Sequence, residues 1–110
     1  MRHIHPKFRF HRGTTPTLAF ELPVLLDPAE DRVIVTFAQG YQRKLMFALG
    51  DPQLRLEGHD LYVDLQQEDT LALAVGDVDV KIIYVMDGVR DESLAYFGIV
   101  LRTDYPEVIG

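Results

Sequence analysis

The chain has 110 residues, enough for one domain that buries roughly two-thirds of its unfolded surface without covalent staples. Its 47% hydrophobic and 25% charged residues belong to an ordinary globular protein and exclude a disordered one. The absence of cysteine rules out disulfides and thiolate metal sites, and a net charge of −6 argues against a nucleic-acid surface, which needs clustered Lys and Arg.

Charge is distributed unevenly. Arg2, Lys7, Arg9 and Arg12 precede the first acid, Glu21, leaving the other seven basic residues against all seventeen acids. The start of the chain is formally +4 and the body −10. Residues 1–10 are expected to form a basic arm, 11–103 a β-sandwich domain and 104–110 a C-terminal tail. Ile4, Phe8 and Phe10 alternate with His3, His5, Lys7, Arg9 and His11, so an extended arm offers an apolar edge and a cationic edge. Such an arm can add to an exposed sheet edge of a neighbour, with Ile4, Lys7, Phe8, Arg9 and Phe10 as the partner-binding residues. It can equally pack on its own domain. Met1 to Arg12 holds no apolar run of signal-peptide type, and no stretch approaches the roughly 18 apolar residues of a membrane span, so neither cleavable secretion nor membrane embedding is expected.

Beyond the arm, Leu18, Phe20 and Leu22 alternate with Thr17, Ala19 and Glu21, the pattern of a half-buried strand, and Pro23, Asp27 and Pro28 end it. Val33, Val35 and Phe37 repeat the alternation, followed by a hairpin turn at Gln39-Gly40-Tyr41-Gln42. Leu45, Phe47 and Leu49 form the inward side of the next strand, closed by Gly50-Asp51-Pro52. Leu54 and Leu56 pair across Gly58-His59-Asp60 with Leu61, Val63 and Leu65 as a second hairpin. Gln67 to Leu73 breaks the period and suits one helical turn plugging an end of a sandwich. The runs Val78 to Met86 and Leu94 to Arg102, joined by a hairpin with Gly88 at its bend, are expected to pair as central strands. About seven short strands with no long helix between them give an all-β, antiparallel fold, arranged as a sandwich or, with the same signature, a small closed barrel.

Candidate chemistry is sparse. His3 and His5 lie two apart and could chelate a metal with His11 or His59, but a terminal histidine pair is ordinarily solvated. Asp27, Glu30 and Asp31, and again Asp87, Asp91 and Glu92, gather acids in turns without an ordered calcium-loop pattern. With Ser93 the only serine and no nucleophile elbow, covalent catalysis is not expected, and scattered carboxylates on a small sandwich offer little cleft for glycoside cleavage. No glycine-rich phosphate loop is present. Tyr41, Tyr62, Tyr84, Tyr96 and Tyr105 could form an adhesive patch or be dispersed along sheet rims. The expectation is a non-enzyme without cofactor or metal.

Three blocks carry a resemblance: His11-Arg12-Gly13-Thr14-Thr15-Pro16-Thr17-Leu18, Val35-Thr36-Phe37-Ala38-Gln39-Gly40, and Leu65-Gln66-Gln67-Glu68-Asp69-Thr70-Leu71 followed by Gly76 and the strand from Val78. Together they resemble small uncharacterised proteins encoded among phage tail and virion genes in Gram-positive bacteria and their prophages, which look like immunoglobulin-like relatives of the N-terminal domain of phage baseplate upper proteins. The resemblance covers residues 11 to about 103. It implies an immunoglobulin-like sandwich, Thr70 and Leu71 capping and anchoring the plug, and a non-catalytic virion component that is assembled in the bacterial cytoplasm. Implied partners are further copies or other virion proteins, with no nucleic acid and no membrane. A soluble adhesion or carbohydrate-binding module of the same fold is the rival expectation.

Overall fold

Alternation in the sequence becomes pleated sheet in the computed structural model, which describes residues 6–86 and 90–102, with the backbone alone for 90–92. The strands are β1 (Phe8–His11), β2 (Thr17–Glu21), β3 (Arg32–Gln39), β4 (Gln42–Ala48), β5 (Leu54–Glu57), β6 (Asp60–Asp64), β7 (Gly76–Met86) and β8 (Arg90–Leu101); the helix α1 (Gln67–Leu71) lies between β6 and β7. Two separate sheets form, in the orders β1-β8-β7-β3-β4 and β2-β6-β5. The protein is an immunoglobulin-like β-sandwich. A closed barrel is overturned because β1, β4, β2 and β5 each end a sheet.

The strand beyond the expected seven is β1. It runs parallel to the last third of β8, with Phe8 opposite Gly98 and His11 opposite Leu101, whereas the other strand pairs are antiparallel. The boundary expected between an arm ending at residue 10 and a domain starting at residue 11 therefore falls inside a strand. Phe8 and Phe10 are too apolar to stay in water when an inter-sheet seam is within reach.

Both sheets feed one core. Phe20, Leu61 and Val63 from the smaller sheet meet Val35, Phe37, Val78, Val80 and Ile82 from the larger, all fully buried or nearly so. Each such side chain contributes about 1.5–3 kcal/mol of burial. Phe37 stands edge-on to Phe47 with ring centroids 6.0 Å apart. The expected central pairing holds, with β7 and β8 in register from Gly76↔Val100 to Met86↔Arg90. Two-residue turns at Gly40-Tyr41 and Gly58-His59 close the β3–β4 and β5–β6 hairpins, and both glycines adopt the positive φ those turns demand, 65° and 62°.

The helical plug sits as expected, but its anchoring differs. Gln66 occupies the N-cap position, and its backbone N–H donates to the Asp69 carboxylate at 2.8 Å. Thr70 is instead wholly buried, its hydroxyl accepting from the Gly13 N–H at 2.9 Å and lying 2.8 Å from the Thr14 carbonyl. It fastens the plug to the β1–β2 connection and does not cap the helix.

Candidate functional site

Of the five residues expected to bind a partner, Ile4 lies outside the described residues. Phe10 is 5% exposed and belongs to the core, and the half-buried Phe8 packs against that core. Phe8 stacks on Phe10 at 5.7 Å with the planes 8° apart, meets Phe20 edge-on at 6.2 Å and approaches Phe37 at 6.4 Å. These two rings are thus corrected from docking groups to inter-sheet packing groups. Lys7 donates its backbone N–H to the Phe97 carbonyl at 2.8 Å, with its ammonium 5.6 Å from the Tyr96 ring, and Arg9 points to solvent.

Where β1 stops, no described strand covers the seam between the sheets. Glu21, Leu22, Pro23, His59, Leu94 and Tyr96 line a shallow groove there of about 500 Å³. Tyr96, which lines it, also packs on Phe20 with the ring centroids 5.2 Å apart. His59 reaches the Leu22 carbonyl through Nδ1 at 3.2 Å. The alternation of β2 predicts only Leu22 of these as inward-facing; the missing signal is that β1 covers only Gly98 to Leu101 of β8.

The remaining candidates do not converge. His11, on β1, contacts the Arg102 carbonyl through Nδ1 at 2.7 Å, whereas His59 stands in the β5–β6 turn, and His3 and His5 are outside the described residues. Among the described residues no three His, Asp or Glu side chains come together to hold a metal ion. In the Asp27–Asp31 turn the carboxylates close the loop on itself: Asp31 accepts from the Asp27 N–H at 2.8 Å and Asp27 from the Ala29 N–H at 2.9 Å. Asp87 is outside the described residues, as are the side chains of Asp91 and Glu92. Ser93 is exposed on β8. The tyrosines are dispersed: Tyr41 at a hairpin tip, Tyr62 on the outer face of the smaller sheet, Tyr84 in the core, Tyr96 in the groove, and Tyr105 outside the described residues.

Two polar constellations were not legible as such. On the outer face of the smaller sheet, Arg55 grips Asp64 with Nε at 2.8 Å and Nη2 at 3.2 Å, and the Thr17 hydroxyl donates to the same carboxylate at 2.7 Å. Those bonds, that of Arg55 foremost, hold the Asp64 carboxyl below the usual aspartate range. Arg55 also stacks over the Tyr62 ring at 4.9 Å. Near the same end of β2, Arg12 hooks the plug by donating to the Leu73 and Leu71 carbonyls at 2.6 and 2.7 Å, and the Gln39 amide exchanges hydrogen bonds with the Ala74 backbone at 2.7 and 2.8 Å. Among the described residues no Asp, Glu, His, Lys or Arg is buried, and no buried side-chain nitrogen or oxygen lacks a partner. No helix among the described residues is long and apolar enough to cross a membrane.

No family model and no curated protein matches the chain. Solved structures sharing its fold include CopC from Methylosinus trichosporium OB3b, 14% identical with a TM-score of 0.56, over 92% of this chain and 89% of that one. Another is a protein assigned as a glycoside hydrolase from Bacteroides vulgatus ATCC 8482, 11% identical with a TM-score of 0.51. That match covers 88% of this chain but only 16% of the larger protein. Identity this low carries the sandwich architecture and no chemistry.

Proposed function

We propose that this chain is a non-catalytic structural or accessory component of a phage tail or virion, baseplate-like in kind, and that it works through protein–protein contacts. The observation that carries the reading is the meeting of the three resemblance blocks at one end of the sandwich. Arg12, Gly13 and Thr14 of the first block bond to Thr70, Leu71 and Leu73 in and just after the third. Gln39 of the second bonds to Ala74 immediately beyond. What these blocks share is therefore a way of stitching strand, turn and plug together through side chain–backbone bonds.

A carbohydrate-binding or adhesion module would draw support from a surface row of tyrosines, and the described tyrosines do not form one. The test is fractionation of an induced lysate of the producing strain on a density gradient. Expected is co-migration of the protein with tailed particles after assembly in the bacterial cytoplasm. A protein abundant in the lysate yet absent from the particles overturns the reading.

A further inference from the structure

We propose that the outer face of the five-stranded sheet is a dimer interface, on which a second copy of this chain packs face to face about a two-fold axis crossing β7 at Val80. The proposal rests on the protein-contact reading above and gives it a surface and a partner.

The two outer faces of the sandwich differ in chemistry. Outward positions of the smaller sheet hold Glu21, Arg55, Glu57, Asp60 and Asp64 around Tyr62, the polar surface that an antiparallel sheet turns to water. Outward positions of the larger sheet hold Met46 on β4, Ile34 on β3, Ile83 on β7, and Phe97 and Ile99 on β8. Ile34 stands between Ala48 and Ile83 across the ladders, so the apolar positions join from strand to strand. From Leu94 to Leu101 no residue of β8 is charged, which is the pattern of a strand covered on both faces. The whole chain leaves this outer face in solvent: Ile34 is 38% and Met46 55% exposed, and Ala95 is exposed as well. An apolar patch of this extent on a folded domain marks a contact surface.

Charge identifies the occupant as a second copy. Lys81 and Asp79 are exposed on β7, the middle strand, on either side of the buried Val80. Neither side chain has an ion-pair or hydrogen-bond partner among the described residues. Lys81 has Thr36 and Ala95 as its cross-strand neighbours, and Asp79 has Ala38 and Phe97, so both charges stand among groups that cannot neutralise them. A two-fold axis lying between the faces and crossing the strands at Val80 sets Lys81 of each copy over Asp79 of the other, and the opposite-charge contact forms twice. The same rotation lays Phe97 of one copy on Ala95 of the other, large side chain against small. At about 3.3 Å per residue and about 4.8 Å per strand, the face covers about 500 Å² before the relief of its side chains is counted. That is the scale of a standard interface, which buries about 800 Å² of accessible surface per partner.

Sedimentation equilibrium of the full chain, with the two charges reversed singly, together and in mixture, tests the proposal. Expected is a concentration-dependent dimer of the parent. Lys81→Asp alone and Asp79→Lys alone each bring like charges together at both contacts and should weaken the dimer about tenfold or more. Lys81→Asp/Asp79→Lys in one chain should dimerise like the parent. Mixing the two single variants also restores opposite charges at both contacts, so a mass tag on one of them should reveal a mixed dimer stronger than either variant forms alone. A full chain that is monomeric at every concentration, its face left to another protein or to the chain's own termini, overturns the proposal. So does undiminished association of the single variants, or a mixture and a double variant that stay as weak as the single ones. A monomer that still migrates with tailed particles removes this interface and leaves the virion reading in place, whereas a dimer absent from the particles does the reverse.

Discussion

Gly98 lies directly beneath the ring of Phe8: the two are partners across the β1–β8 ladder, and a Cβ added to Gly98 would overlap the ring at Cε1, Cζ and Cδ1. Gly98 is thus the floor of the slot that holds β1 on the sandwich. Gly98→Ala is expected to cost about 1–3 kcal/mol, the usual penalty of overpacking. Since the clash is with one ring, Phe8→Ala should absorb part of it, and the double variant should lose less than the two single variants summed. Urea denaturation of the four proteins measures the coupling. Strict additivity would show that Gly98 serves some purpose other than seating Phe8.

Phe37, at zero exposure on β3, packs against Phe47 of β4 and Phe8 of β1 on the inner face of the larger sheet. Phe37→Ala is expected to lose about 3–5 kcal/mol, a large part of what holds a domain of this size together. A denaturation midpoint unchanged by the substitution contradicts its place in the core.

Legibility in the sequence followed the range over which each signal acts. Val33, Val35 and Phe37 declare their face by period two alone, and Gly40 and Gly58 declare their turns by local backbone demand, so β3, the hairpins and the central β7–β8 pair could be read directly. β1 could not be assigned to its place, because its partner β8 lies some ninety residues away and parallel pairing leaves no turn between the strands to announce it. The rings that made Phe8 and Phe10 look like docking groups are the ones the inter-sheet seam claims. Arg12, Gln39 and Thr70 stood inside the quoted blocks, but each bonds to a backbone group more than thirty residues distant, and such a partner has no sequence signature.

The Thr70 hydroxyl accepts from the buried Gly13 N–H at 2.9 Å, and by donating to the Thr14 carbonyl it also ties α1 to the β1–β2 connection. Thr70→Val keeps the shape and removes the oxygen. The expected loss is about 1–3 kcal/mol, the cost of leaving a buried donor unpaired. Thr70→Ser, which retains the hydroxyl, should recover most of it. Hydrogen exchange at Gly13 separates this account from simple repacking: the amide should exchange much faster in the valine variant than in the serine variant. Equal protection in both would mean the bond does not hold the plug.

Acid sensitivity should register the Arg55–Asp64–Thr17 constellation. The hydrogen bonds from Arg55 and then Thr17 lower the Asp64 carboxyl in the folded state, so the ionised form is favoured by folding. The sign follows from linkage: stabilisation is fully present above the unfolded aspartate value of about 3.9 and disappears as the pH falls through the lower folded value. Both side chains are substantially solvated, at 45% exposure for Arg55 and 30% for Asp64, so the effect is small beside that of Phe37→Ala. Asp64→Asn should therefore melt slightly below the parent at pH 7 in low salt, and the gap should narrow as salt screens the pair. Lowering the pH in steps should bring the two melting temperatures together once the parent carboxyl is protonated. A gap that persists undiminished at the lowest pH would assign the loss to packing or to the amide itself, and not to the charge that Arg55 holds.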